Sequence, residues 1–151
     1  MKLTKTLAIS AMATAVALLT IIVPMGASAA GDNNIPYNFN VPGNQNWGYD
    51  NNSQYRGTSN TKVPWMVNFT FSGEGITARS EYFILGDGWN YNKYSDYKGV
   101  NQGSGAKYFH AYDSAYNVAL RIGARNNNYN NKSYTVSGYL DEETALHKFN
   151  D

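Results

Sequence analysis

The sequence predicts an all-β domain, an antiparallel β-sandwich or small open barrel of about six strands, preceded by a cleavable signal peptide. Three observations carry this. Apolar residues recur at every second position over several short runs, the period of a strand with one buried face. The composition pairs 13 Tyr with 14 Gly and with Asn clusters at 126–128 and 130–131, which favours strands joined by turns. There is no Cys, so the fold must rest on its core alone.

Residues 1–29 read as the signal peptide. Lys2 and Lys5 precede an apolar run from Leu7 to Val23, Pro24 breaks it, and Ala27-Ser28-Ala29 is a small-x-small cleavage site. Cleavage after Ala29 leaves residues 30–151 as a single secreted domain, long enough for one core. Without Cys there is no lipoprotein anchor, and no membrane span is expected once the leader is removed. Losing Lys2 and Lys5 from 12 basic residues leaves a near balance against 11 acidic ones, so no nucleic-acid or anionic-lipid partner is expected.

In the mature chain Ile35, Tyr37, Phe39 and Val41 alternate, as in a short edge strand before Pro42. Residues 54–59 add another short strand. The clearest alternation lies in 62–75, with Val63, Trp65, Val67, Phe69 and Phe71 on one face, and is read as the central strand. Ser72-Gly73-Glu74-Gly75 turns the chain, and 76–85 alternates again with Ile76, Ala78, Tyr82 and Ile84 inward, so the two runs are expected to form a hairpin. Residues 107–112 form a strand whose inward face, Tyr108/His110/Tyr112 or Phe109/Ala111, is open. Residues 116–125 place Tyr116, Val118, Leu120, Ile122 and Ala124 inward. Residues 133–140 return with Tyr134, Val136 and Leu140 on one side. Asp141 is positioned to cap a final helical turn, with Glu142 and Glu143 at its start and His147 and Lys148 at its end.

Residues 86–105 show neither period nor apolar core positions, and a loop this long is usually functional or disordered. It carries Trp89, Tyr91, Tyr94 and Tyr97, the candidate ligand-binding residues. Their rings either stack on a sugar face or anchor a partner, or fold back to seal the core. Trp47 and Tyr49 pose the same choice.

No catalytic constellation is assembled. Cys is absent, and His110 and His147 are the only imidazoles, neither beside a nucleophile elbow. His110 reads as a member of an aromatic strand face. Glu81 is the single acid deep in a strand, next to Arg79 as a surface ion pair and without a second carboxylate for glycoside hydrolysis. Two scattered His do not make a zinc site, and Asp87, Asn90, Asn92 and Asp96 lack the pattern of a calcium loop, so no metal or cofactor is expected.

Three stretches resemble a known family: Tyr55-Arg56-Gly57-Thr58, then Pro64-Trp65-Met66-Val67-Asn68 with Ser72-Gly73-Glu74-Gly75, and Val136-Ser137-Gly138-Tyr139-Leu140-Asp141-Glu142-Glu143-Thr144. They are similar to domain-of-unknown-function family 2712, small exported proteins of Bacillales and related Gram-positive bacteria. The resemblance implies export and a Gram-positive source, and brings no activity and no catalytic residue. The expected role is a secreted, non-catalytic protein that binds extracellular glycan or polysaccharide through its aromatic loop. The alternatives are a bacteriocin-like competition or protein-interaction factor, and behind it a small glycan hydrolase using Glu81.

Overall fold

The computed structural model describes residues 34–144 and 148–150. The signal peptide and His147 lie outside the described residues. Among the described residues nine strands are present: β1 Ile35–Val41, β2 Trp47–Tyr49, β3 Gln54–Arg56, β4 Trp65–Ser72, β5 Arg79–Gly86, β6 Lys98–Asn101, β7 Ala106–Phe109, β8 Val118–Asn126 and β9 Tyr134–Asp141. They form two antiparallel sheets, one of four strands in the order β1-β9-β4-β7 and one of five in the order β2-β8-β5-β6, with β3 also on β8. The sheets stay open and do not close into a barrel. Among the described residues no helix is long and apolar enough to cross a membrane.

Alternation explains which side chains fill the space between the sheets. β1 contributes Tyr37, Phe39 and Val41, β4 Trp65, Val67 and Phe69, β9 Tyr134, Val136 and Leu140. From the other sheet come Tyr82 and Ile84 of β5, Val100 of β6, and Leu120, Ile122 and Ala124 of β8. The layers touch through rings: Tyr82 lies 5.9 Å from Tyr37 and 5.3 Å from Phe69, centroid to centroid. Each fully buried aliphatic or Phe side chain stabilises the fold by about 1.5–3 kcal/mol. Gly138 of β9, opposite both Tyr37 and Phe69 in register, leaves the slot those rings need. A Cβ there would come within 2.6 Å of the Tyr37 hydroxyl.

The central strand is where it was expected, between β9 and β7, but its pattern breaks at Thr70. The register with β9 slips between Phe69 and Phe71, so Phe71 turns outward, 53% exposed, and Ser72 turns in. A bulge of this kind adds one residue and inverts the faces beyond it. Val63 falls outside β4, and Ile76 and Tyr116 lie in turns beside their strands, exposed rather than inward. On β7 Phe109 is the buried residue, which decides the open face there.

The expected hairpin between β4 and β5 does not form. β4 pairs with β7 and β9, whereas β5 pairs with β6 and β8 in the other sheet. Turn chemistry at 72–75 reverses the chain equally well within a sheet or between two, and both strands need the same interior for their apolar faces. Two strands were missed by sequence. β2 has three residues, and β6, inside the long loop, has Val100 as its one buried side chain. The loop therefore shortens to 87–97. The helical turn at Asp141 is also absent through Thr144: Asp141 closes β9, and its carboxylate accepts the Glu143 N–H at 2.9 Å. Residues 145–147 lie outside the described residues.

Both edges of the four-stranded sheet are occupied. On β1, the Asp50 carboxylate accepts the Asn38 N–H at 3.0 Å. On β7, Asn150 gives its N–H to the Tyr108 carbonyl at 2.8 Å and accepts the Tyr108 N–H at 2.7 Å. Such devices blunt an edge against further strand pairing.

Candidate functional site

The outer face of the five-stranded sheet is paved with rings. Because side chains alternate, Trp47 and Tyr49 of β2, Glu81 and Phe83 of β5, and Arg121 and Arg125 of β8 point away from the core. Register sets Trp47 beside Arg125 and Arg125 beside Glu81, with Tyr49 and Phe83 flanking Gly123. The missing side chain at Gly123 makes room for the Phe83 ring, whose Cζ would lie 2.6 Å from a Cβ at that position. Trp47 then meets Phe83 edge-on at 6.0 Å and Tyr49 at 5.7 Å.

Loop 87–97 folds back over this face. It is tied to β5 by Gly86 N–H to the Asn92 carbonyl at 2.9 Å and Tyr94 N–H to the Ile84 carbonyl at 2.8 Å. Its four aromatic residues take three different places. Tyr94 packs against the core, as a seal would. Tyr97 meets Phe83 edge-on at 4.9 Å, beneath the Arg125 guanidinium at 3.9 Å and the Lys93 ammonium at 4.1 Å. Tyr91 lies 5.2 Å from Tyr49 and 5.9 Å from Trp47, its hydroxyl 3.0 Å from that of Tyr49. That hydrogen bond pushes the Tyr49 phenol above its ordinary pKa. Tyr91 holds a left-handed φ of 42°, a conformation that is uncommon for a bulky residue. Trp89, at the tip, is 100% exposed.

Two larger grooves border these rings, beside a smaller one of about 200 Å³ lined by Asp87, Trp89, Tyr91 and Arg121. One of about 420 Å³ runs between the loop and the start of β8, past Trp89, Tyr91 and Asn117. Tyr55 donates its hydroxyl to the Asn117 side-chain oxygen at 2.5 Å. The other, about 640 Å³, lies between β1 and residues 48–52 and is lined by Asn38, Asn40, Tyr49 and Asn51. The two guanidinium groups that β8 places on this face already have partners: Arg121 is bridged to Asp87, and Arg125 to Glu81. Glu81 holds the Arg125 pKa above its usual value. Glu81 therefore pairs across strands with Arg125, not with Arg79 along its own strand, because the opposite position on β8 is nearer than the next but one on β5.

The other sequence candidates are dispersed. The His110 ring stacks on Phe149 at 3.3 Å, and its carbonyl accepts the Trp65 indole N–H at 3.1 Å. Asp87 serves Arg121, and Asp96 accepts the Tyr112 hydroxyl at 2.7 Å. Among the described residues no three His, Asp or Glu side chains gather as a metal site would require.

Sequence reasoning missed a buried polar knot around Arg56, which is only 2% exposed. Its guanidinium donates to the carbonyls of Ala115 at 3.1 Å, Val63 at 2.7 Å and Glu142. Glu143 accepts the N–H groups of Gly57 and Thr58 at 2.7 and 2.8 Å, and Thr144 N–H reaches the Pro64 carbonyl at 3.1 Å. Burial lowers the Arg56 pKa, and Glu143, Glu142 and Asp141 oppose that shift. The stretches 55–58, 64–68 and 136–144, which carry the resemblance, thus meet in one place. Their charged members were the available signal, and reading them as a strand end and a helix cap hid it.

A family model described as a protein of unknown function, DUF2712, matches residues 25–144. No curated protein and no solved structure matches the chain. The chain belongs to the DUF2712 family.

Proposed function

We propose that this DUF2712 protein is an exported, non-catalytic binding module that takes polysaccharide outside the cell through the rings of loop 87–97 and the sheet face beneath them. The leader-like segment 1–29 supports export. One observation carries the binding reading: Trp89 stands wholly in solvent above a groove, beside the partly exposed Tyr91 and Trp47. An aromatic side chain buries about 150–250 Å² in full, so a sugar C–H face covering one side of the ring gains about 2 kcal/mol before the cost of association is subtracted. The amide groups of Asn90, Asn92 and Asn117 along the same groove supply paired donors and acceptors for hydroxyls.

Retention on insoluble wall polysaccharide tests this. Wild type is retained, and a Trp89→Ala/Tyr91→Ala double variant passes through. Equal retention of both removes the reading. Growth inhibition of neighbouring bacteria without any retention replaces it with a competition factor. Export is checked by the N-terminus of protein recovered from the medium, expected at Ala30.

A further inference from the structure

We infer that the ligand is a neutral, linear glycan lying along a track that joins the two grooves, a conclusion that rests on the binding reading above. Continuity comes first. Tyr91 lines the groove under Trp89, Tyr49 lines the groove beside β1, and the two residues are in ring contact at 5.2 Å with their hydroxyls bonded. A chain seated on Trp89 can therefore pass over Tyr91 and Tyr49 and continue to Asn40 and Asn51 without leaving protein surface. The combined path outlasts a single sugar ring, since the grooves hold about 420 and 640 Å³.

Charge sets the chemical class. Arg121 and Arg125, the guanidinium groups that lie against the rings of the track, are each bridged to a carboxylate and each lie over a tyrosine ring, 5.6 Å from Tyr49 and 3.9 Å from Tyr97, while Arg79 sits farther along β5, over Gly99 of β6. Lys93 also faces Tyr97, at 4.1 Å. A polyanion would have to break these ion pairs and would meet Asp87 and Glu81 as they were released. A neutral chain leaves them intact, uses the rings for its apolar faces and the Asn amides for its hydroxyls. Those pairs also hold the track in shape.

Calorimetric titration of the purified protein with neutral glucan disaccharides and hexasaccharides, and with poly(glycerol phosphate) and polygalacturonate as anionic probes, tests this. The hexasaccharide is expected to bind at least about tenfold tighter than the disaccharide. Tyr49→Ala should abolish that gain, while Tyr49→Phe, which keeps the ring and the packing, should retain it. Trp89→Ala should weaken both lengths. Equal affinity for the two lengths overturns the track, and binding of the polyanions alone overturns the neutral class; in either case Trp89-dependent retention on wall polysaccharide would leave the binding reading standing. Loss of that retention together with silent titrations removes both.

Discussion

At Arg56 the molecule buries a guanidinium, and at Trp89 it leaves an indole in water. Both invert the usual sorting of side chains, and the inversions have different consequences. Arg56 satisfies three backbone carbonyls from separate segments and has acidic residues around it, so its burial fastens 55–58, 63–64, 115 and 142–144 into one unit. Trp89 touches none of that and is held only by the backbone of its loop. The first region is committed to the fold. The second is available for something else to cover.

The largest break in this contrast is expected from Arg56→Met. It strands the carbonyls of Val63, Ala115 and Glu142 and leaves Glu143 without its cation, a loss of about 3–5 kcal/mol in urea-unfolding free energy. Arg56→Lys should recover little, because one ammonium cannot span three carbonyls in a fork geometry.

Gly123→Ala probes the boundary between the regions. The new Cβ meets the Phe83 ring and forces it outward, which should cost about 1–3 kcal/mol and loosen the Trp47 and Tyr97 contacts together. Near-ultraviolet circular dichroism should report the altered ring packing.

Alkaline pH reads the burial of the core tyrosines as a change in stability. Burial raises the phenol pKa of both Tyr37 and Tyr82. A raised folded pKa means the folded chain keeps protons that the unfolded chain releases near pH 10. Stability is therefore whole below about pH 10 and falls as pH rises beyond it, by up to about 1.4 kcal/mol per pH unit for each group. Denaturation midpoints should drop over that range in wild type and drop less in Tyr82→Phe. A slope unchanged by Tyr82→Phe would place the loss elsewhere.

The smallest effect on stability is expected at the most exposed ring. Trp89→Ala should change the unfolding free energy by less than about 0.5 kcal/mol, since nothing packs on the indole. The same variant should lose polysaccharide retention, so one substitution separates folding from binding.

What was legible in the chain follows from where the physics is local. Alternation at Tyr37-Phe39-Val41, at Trp65-Val67-Phe69 and at Leu120-Ile122-Ala124 is a property of consecutive residues, and those faces are buried as read. Phe71 was misplaced because the bulge depends on how β4 meets β9, which no local pattern records. β6 was hidden since a four-residue strand with one inward Val has no period to show. The partner of β5 was also misread: the turn signal fixes a reversal, while the sheet a strand joins is decided by distant residues. At the candidate site, composition pointed to Trp89, Tyr91, Tyr94 and Tyr97 as a set, and the structure divides them, with Tyr94 at the core and Trp89 free at the tip. Alternation alone points Phe83 and Arg121 outward, but only the pairing of β8 with β5 and β2 brings them onto one face with Trp47 and Tyr49.

The pairing of β1 with β9 sets Ile35 opposite Leu140. Among the described residues β1 has no other neighbour in the four-stranded sheet, so it stays unpaired there until β9 is delivered. A ribosome feeding the polypeptide head first would hold that layer incomplete until β9 had emerged. Assembly is then a late, concerted event with a long loop to close, and of the sort that runs slowly.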